Sequence, residues 1–426
     1  MKKKILLIIL IIVLFAGITA AAVLFLFPFP YQPDQPPEAD SVGSTRSGIQ
    51  EIVNANNEFT FDLYSQLNQS EKGNIFYSPY SIFTALAMTY EGAKNQTAAE
   101  MKSVFYFPES DILRPNFAAI YNGLNEDARD YELKTGNALW VQRDFSFLED
   151  YLSRIEKYYG GKAANVDFVN ETEKTRQTIN SFIEEQTNNK IKDLIPQGFL
   201  KETTRLVLTN AIYFKGIWEW QFDKSDTFEQ DFQITPDNIV KTEMMNMNPD
   251  GDKAKFNYAD TGDLQILELP YQGDKVSMLL LLPAENLNAI EPTLTAEKLE
   301  EYKSQMKETE LDLIFLPKFE LDAKYLMNET LKALGMPTAF SENADFSGMT
   351  GNKDLFIGFV IHQAYVKVDE EGTEAAAATG VGMELTAVMP KDVFKADRPF
   401  IFIIQEKETG NILFLGRVVD PTKIKN

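Results

Sequence analysis

The chain has 426 residues, 44% hydrophobic and 24% charged, which suffices for a sizeable packed core. Its net charge of −22 at pH 7 opposes binding to nucleic acid. With no cysteine and a single histidine, His362, disulfides, cysteine nucleophiles, cysteine-based zinc sites and paired-histidine metal motifs are excluded, and neither metal nor cofactor is expected.

Lys2, Lys3 and Lys4 precede an uncharged apolar run from Ile5 to Phe27. At about 1.5 Å per residue this run can cross roughly 30 Å of hydrocarbon. It also exceeds the roughly 7–15-residue apolar core of a secretory signal. Residues 1–27 are therefore expected to form an uncleaved membrane anchor that displays the protein at the cell surface. The alternative is a signal cleaved after Ala20, Ala21 or Ala22, giving a secreted protein. Either way the three lysines stay inside and the remainder is exported. Residues 28–48, with Pro28, Pro30, Pro33, Pro36 and Pro37, read as an extended linker. Residues 49–426 contain neither a repeat nor a second linker and are expected to form one domain.

Ile49, Ile52, Val53, Phe59, Leu63 and Leu67 recur near helical spacing and predict a first helix. Ser78-Pro79 before Ile82 and Leu86 reads as an N-cap with proline in the first turn. Further helices are expected through residues 91–167 and 171–193. Residues 205–214 and 276–282 are nearly continuous apolar runs, as strands buried on both faces would be. Leu311, Leu313 and Phe315 alternate, and residues 400–405 and 412–419 flank a Gly410-Asn411 turn that predicts a hairpin. Helices first and strands later indicate an α+β fold with a large sheet.

Residues 355–368 read as a strand that places Val360, His362, Val366 and Val368 on one face. No G-x-S-x-G turn or comparable nucleophile motif accompanies His362, so a core histidine is expected rather than a catalytic base. Asn210 lies inside the apolar run 206–214 and raises the same question. A buried amide without partners costs a few kcal/mol, so the two side chains are expected to satisfy each other.

Several stretches resemble the signatures of the serpin family, the serine-protease inhibitors. They are Asn74-Ile75-Phe76-Tyr77-Ser78-Pro79-Tyr80-Ser81-Ile82, Thr209-Asn210-Ala211-Ile212-Tyr213-Phe214-Lys215-Gly216 with Trp218, and Leu316-Pro317-Lys318-Phe319. Nearer the C-terminus the resemblance continues through Asp369-Glu370-Glu371-Gly372-Thr373-Glu374-Ala375-Ala376-Ala377-Ala378-Thr379, Arg398-Pro399-Phe400 and Phe414-Leu415-Gly416-Arg417-Val418. They occur in family order from about residue 50 to residue 421. The resemblance implies a monomer with helices around a large central sheet, smaller sheets and an exposed reactive-centre loop. It also implies that Ser78, Ser81, Asn210 and His362 form a hydrogen-bonded shutter beneath the sheet. Trp218, Lys318 and Glu370 would then stand at the breach, where the loop enters, with Lys318 and Glu370 as an ion pair.

By local propensity Glu374-Ala375-Ala376-Ala377-Ala378 is a helix former, and a surface helix or small-residue linker is one reading of it. Read with period two, Thr373, Ala375, Ala377, Thr379, Val381 and Met383 form a small or apolar face suited to a buried strand. Glu374, Ala376, Ala378, Gly380, Gly382 and Glu384 form the other face, and Gly372 supplies a hinge. This pattern, with the resemblance, implies an irreversible suicide-substrate inhibitor of serine endopeptidases, or of cysteine ones, with no catalytic residue of its own. The implied reactive bond is Thr386-Ala387, with Leu385-Thr386 as the alternative. Thr386 suits an elastase-like partner, and Leu385 a chymotrypsin-like or subtilisin-like one. A non-inhibitory serpin, acting as a binding or carrier scaffold, is the alternative function. No basic patch calls for a polyanion cofactor. Asn68, Asn95, Asn170 and Asn328 each begin a glycosylation-type triplet.

Overall fold

The computed structural model describes residues 38–126, 131–249, 254–373 and 392–425. Helix α1 (Arg46–Ser70) starts at Thr45, whose side chain accepts from the Gly48 N–H, and it buries Ile52, Val53, Phe59, Leu63 and Leu67. Strand β1 (Ile75–Tyr77) leads into α2 (Pro79–Tyr90), capped by Ser78 with proline at the first position, as the sequence predicts. Helices α3 (Asn95–Phe105) and α4 (Ser110–Leu124) follow.

The next stretch departs from the expected run of helices. Strands β2 (Tyr131–Thr135), β3 (Ala138–Gln142) and β4 (Lys162–Val166) alternate with α5 (Glu149–Tyr159) and α6 (Thr172–Gln186). The reason is visible in β3, whose residues are all buried, so the segment carries no helical period. Strand β5 (Leu206–Ile217) then enters the sheet, and β6 (Phe228–Thr235) and β7 (Asn238–Met247) form a hairpin. Strands β8 (Phe256–Asp260), β9 (Leu264–Pro270) and β10 (Val276–Pro283) form a meander, followed by α7 (Ala296–Ser304). The remaining elements are β11 (Lys307–Thr309), β12 (Leu313–Pro317), β13 (Phe319–Leu326), α8 (Asn328–Leu334), β14 (Phe359–Asp369), β15 (Gly372–Thr373) and β16 (Val393–Lys395). The predicted hairpin closes the fold as β17 (Phe400–Glu406) and β18 (Ile412–Val418).

The strands form three sheets. A seven-stranded central sheet runs β13-β14-β15-β5-β3-β4, with β2 also paired to β5. A second sheet runs β1-β18-β17-β10-β9-β8-β11, and a third runs β16-β12-β7-β6. This is the α+β arrangement the sequence predicts.

Period two decides which side chains of the central sheet meet which layer. Val207 and Ala211 of β5, with Phe359 and Ile361 of β14, pack against Ile179 and Ile183 of α6. Leu206, Leu208, Ile212, Phe214, Val360, Ala364 and Val366 point into the main core, which contains Ile82, Phe83 and Phe414. Asn210 and His362 share this second parity, on the side of α2.

The compact unit spans Ala39–Asn426. Residues 39–45, which the sequence places in the linker, are held by specific partners. Ala39 donates its N–H to Asn122 Oδ1 (2.8 Å) and accepts from Asn122 Nδ2 (2.8 Å), while Asp40 pairs with Lys157 at 2.9 Å. The expected anchor, residues 1–27, lies outside the described residues. Among those described, no helix is long and apolar enough to cross a membrane.

Ile183 is fully buried between α6 and the sheet. Ile183→Ala is expected to cost about 2–5 kcal/mol, read as a lower denaturant midpoint with an unchanged circular dichroism spectrum.

Candidate functional site

The polar residues singled out in apolar strands meet beneath the central sheet. Strands β5 and β14 run parallel, and their register sets His362 directly opposite Asn210. His362 Nδ1 contacts Asn210 Oδ1, and His362 Nε2 accepts from the Ser78 backbone N–H at 3.1 Å. The proton therefore sits on Nδ1, and the ring is a neutral connector between sheet and helix. Ser78 caps α2 by accepting from the Ser81 N–H (3.1 Å), and its own hydroxyl donates to the Leu413 carbonyl (2.6 Å). Asn210 Nδ2 donates to Ser81 Oγ (2.6 Å) and to Asn137 Oδ1 (2.5 Å), and Ser81 Oγ donates to Asn137 Oδ1 (2.9 Å).

Ser78, Ser81, Asn210 and His362 are all 0% exposed. Burial pushes the His362 imidazole from its ordinary 6.5 down to about 3, and the hydrogen bond to Asn210 offsets only part of this. Its partners are an amide and a backbone N–H, neither a nucleophile, so the group is no hydrolytic triad.

A second constellation surrounds the start of the expected loop. Asp369 ends β14, Glu370 and Glu371 form the turn to β15, and the carbonyl of each of the three is held. Trp218 Nε1 donates to Asp369 O (3.1 Å), the Phe222 N–H to Glu370 O (2.9 Å), and the Trp218 N–H to Glu371 O (3.0 Å). Lys318 Nζ lies 3.3 Å from Glu370 Oε1 and 3.4 Å from Glu243 Oε2. Burial alone would raise the Glu370 carboxyl, but hydrogen bonds and the Lys318 charge outweigh it and hold the group below its usual range. Trp218, Lys318 and Glu370 thus converge on one turn.

Gly372 and Thr373 are already strand. Thr373 pairs with Val368 of β14 on one side and with Gly216 of β5 on the other, antiparallel to both. A Cβ on Gly372 would lie 2.1 Å from the Gly216 carbonyl oxygen, so the hinge position admits only glycine without rearrangement. Immediately beyond this short wedge, β5 and β14 pair directly, from Phe359 opposite Val207 to Tyr365 opposite Tyr213.

A family model described as Serpin (serine protease inhibitor) matches residues 54–421. The chain belongs to the serpin family. This serpin is 41% identical over 380 residues to an uncharacterized serpin-like protein of Methanosarcina mazei, covering 87% of this chain and 88% of the other. It is 38% identical over 384 residues to leukocyte elastase inhibitor A of Rattus norvegicus, covering 88% and 100% respectively. The structure of uncleaved ovalbumin superposes with a TM-score of 0.79 at 31% identity, covering 87% of this serpin and 100% of that chain. Serpins are protease inhibitors or binding proteins rather than enzymes, in keeping with a buried, fully engaged His362.

Of the expected loop residues, Gly372 and Thr373 are placed. Glu374, Ala375, Ala376, Ala377, Ala378, Leu385, Thr386 and Ala387 lie outside the described residues. Sequence reasoning missed Asn137, which joins the polar cluster, and Tyr325, whose ring stacks on His362 at 6.4 Å and whose hydroxyl accepts from the Phe76 N–H. Asn137 stands just before the apolar run Ala138–Val141, the signal that would have found it. The four asparagines of the glycosylation-type triplets have committed amides. Asn68 donates to Glu291, Asn95 to Asp345, Asn170 to Asp167 and Asn328 to the Gly358 carbonyl. A glycan on any of them would displace a hydrogen bond of the folded protein.

Because the folded protein holds His362 neutral, the unfolded chain takes up its proton first on acidification. Its contribution is full above about pH 6.5 and is lost as pH falls toward 3. His362→Leu leaves the Ser78 N–H and the Asn210 carbonyl without their partner, at an expected cost of about 2–4 kcal/mol at pH 8. Urea midpoints of the two proteins are expected to converge as pH is lowered from 6.5 to 4.

Proposed function

We propose that this serpin is a suicide-substrate inhibitor of serine endopeptidases, cleaved in the loop beyond Thr373 and then inserting that loop into its central sheet. The observation that carries the reading is the gap-ready junction of β5 and β14. They form one parallel ladder, with Gly372 and Thr373 wedged antiparallel between their upper ends. Parallel pairing is slightly less stable per residue than antiparallel pairing. A strand continuing from Thr373 would replace that one parallel ladder with two antiparallel ones. Each added hydrogen bond contributes about 0.5–1.5 kcal/mol net.

The parity of Thr373 supports the same reading. Its hydroxyl is buried and points into the main core. A strand continued from it turns Ala375, Ala377, Thr379, Val381 and Met383 inward, and none of these is charged. They would pass over the buried cluster of Ser78, Ser81, Asn137, Asn210 and His362, which acts as the shutter. Lys318 and Glu370, with Trp218, act at the breach by fixing the turn from which insertion starts.

The protease supplies all the chemistry. Its serine attacks the loop, with Thr386-Ala387 as the reactive bond and Leu385-Thr386 as the runner-up, and forms an acyl-enzyme. Insertion drags the protease along and distorts its oxyanion hole, so the second half-reaction stalls. An elastase-like target suits Thr386, and the name of the rat relative supports that class. Chymotrypsin-like and subtilisin-like proteases suit Leu385. The apolar segment 1–27 holds the inhibitor at the outer cell surface as a monomer tethered through residues 28–38.

The full chain is to be mixed with elastase, chymotrypsin and subtilisin, resolved on denaturing gels, and the released fragment sequenced. A covalent band with a fragment beginning at Ala387 or Thr386 is the expected result. Loop cleavage with no such band for all three proteases would contradict inhibition and favour the non-inhibitory alternative. Ala377→Arg places a charge on the inward face. It is expected to lower the yield of complex at least about tenfold while leaving loop cleavage intact, as gel densitometry would show.

A further inference from the structure

Resting on the inhibitory reading above, a residue outside the central sheet sets how the loop enters it. Tyr271 follows β9 in the second sheet, and its hydroxyl lies 2.7 Å from Thr373 Oγ1. Both residues are 0% exposed. The tyrosine ring cannot drift. It stacks on Trp218 with centroids 4.5 Å apart and planes at 14°, and it meets Phe214 edge-on at 5.1 Å and 73°. On its third side it lies against β5, where a Cβ on Gly216 would come within 2.7 Å of Tyr271 Cδ1. Its backbone N–H donates to the Val276 carbonyl at 3.0 Å. The hydroxyl is thus a fixed post, and Gly216 is the residue paired with Thr373 in the sheet.

We propose that Tyr271 is a positioning residue that pins Thr373 as the first rung of the inserting strand, fixing its face and register. The residue after Thr373 is Glu374. A slip of one residue turns every side chain of a strand to the opposite face. Such a slip here would drive Glu374 into the apolar core, where an unpaired carboxylate is strongly disfavoured. With Thr373 bonded to Tyr271, Glu374 stays outside and Ala375, Ala377 and Thr379 go in. Insertion then competes with deacylation from a correct start instead of having to search for one.

The test is a double-mutant cycle on the full chain, read as the number of inhibitor molecules consumed per protease trapped. Tyr271→Phe removes only the hydroxyl and is expected to raise that number roughly fivefold, the kinetic equivalent of one hydrogen bond. The initial rate of loop cleavage should not change. Thr373→Val should do the same, Thr373→Ser should keep the parental value, and the double variant should be no worse than either single one. A merely structural role would lower the melting temperature of the uncleaved protein and leave this partition unmoved. Parental partition in Tyr271→Phe, or two effects that multiply in the double variant, would overturn the proposal. If the parent itself traps none of the three proteases, the inhibitory reading falls and the proposal falls with it.

Discussion

The parallel contact between β5 and β14 is the interaction on which the rest depends. These two strands belong to distant parts of the chain, and the connection between them contains β6 to β13, including β8, β9, β10 and β11 of the second sheet. Their ladder is held on one face by α6 through Val207, Ala211, Phe359 and Ile361. On the other it rests on the main core and a small polar cluster. At its upper end the ladder is already opened by two residues, Gly372 and Thr373, that pair with both strands. A sheet that ends in a started but uncontinued strand has an unrealised set of hydrogen bonds available to it. In the proposed inhibition, that available energy drives the insertion of the cleaved loop.

The polar cluster ties the two strands of the ladder to each other and to α2. Asn210 and His362 bridge the two strands, and the same side chains reach the N-terminus of α2 through Ser78 and Ser81. An apolar pair at these positions would pack, but it would not tie strand to strand and both to the helix with directional bonds. The cost is the burial of an imidazole, kept neutral by its surroundings. At the upper end Trp218 and Phe222 hold three consecutive carbonyls at the turn, and the Lys318–Glu370 pair sits beside them. Glu370 is nearly buried while Lys318 is partly exposed, so the pair orients the turn more than it stabilises the fold.

Much of this was legible in the residues. The spacing of Ile52, Val53, Phe59, Leu63 and Leu67 announced α1, and Ser78-Pro79 announced the start of α2. The apolar runs at 206–214 and 276–282 announced strands buried on both faces. Asn210 and His362 were recognisable because each is polar inside an apolar strand and needs a partner. Strands β2, β3 and β4 were not legible: each is five residues long, β3 is buried throughout, and none carries a helical or a clear alternating apolar period. Nor were the contacts of Tyr271 and Asn137. Tyr271 is an ordinary residue in its own strand-end sequence, and its importance arises only when the second sheet brings it to Thr373. Asn137 is marked by the apolar run that follows it, but its partner Asn210 required knowing that β3 lies against β5. Long-range pairing, unlike local periodicity, leaves no mark near the residue it affects.

The central claim is that loop cleavage releases stability stored at the β5–β14 junction. It is tested most directly by nicking the full chain once between residues 374 and 391 and comparing thermal unfolding before and after. Insertion of a strand bonded on both sides predicts a rise in melting temperature of at least about 10 °C, since several hydrogen bonds are added at once. A nicked protein that melts at or below the temperature of the intact one would contradict it.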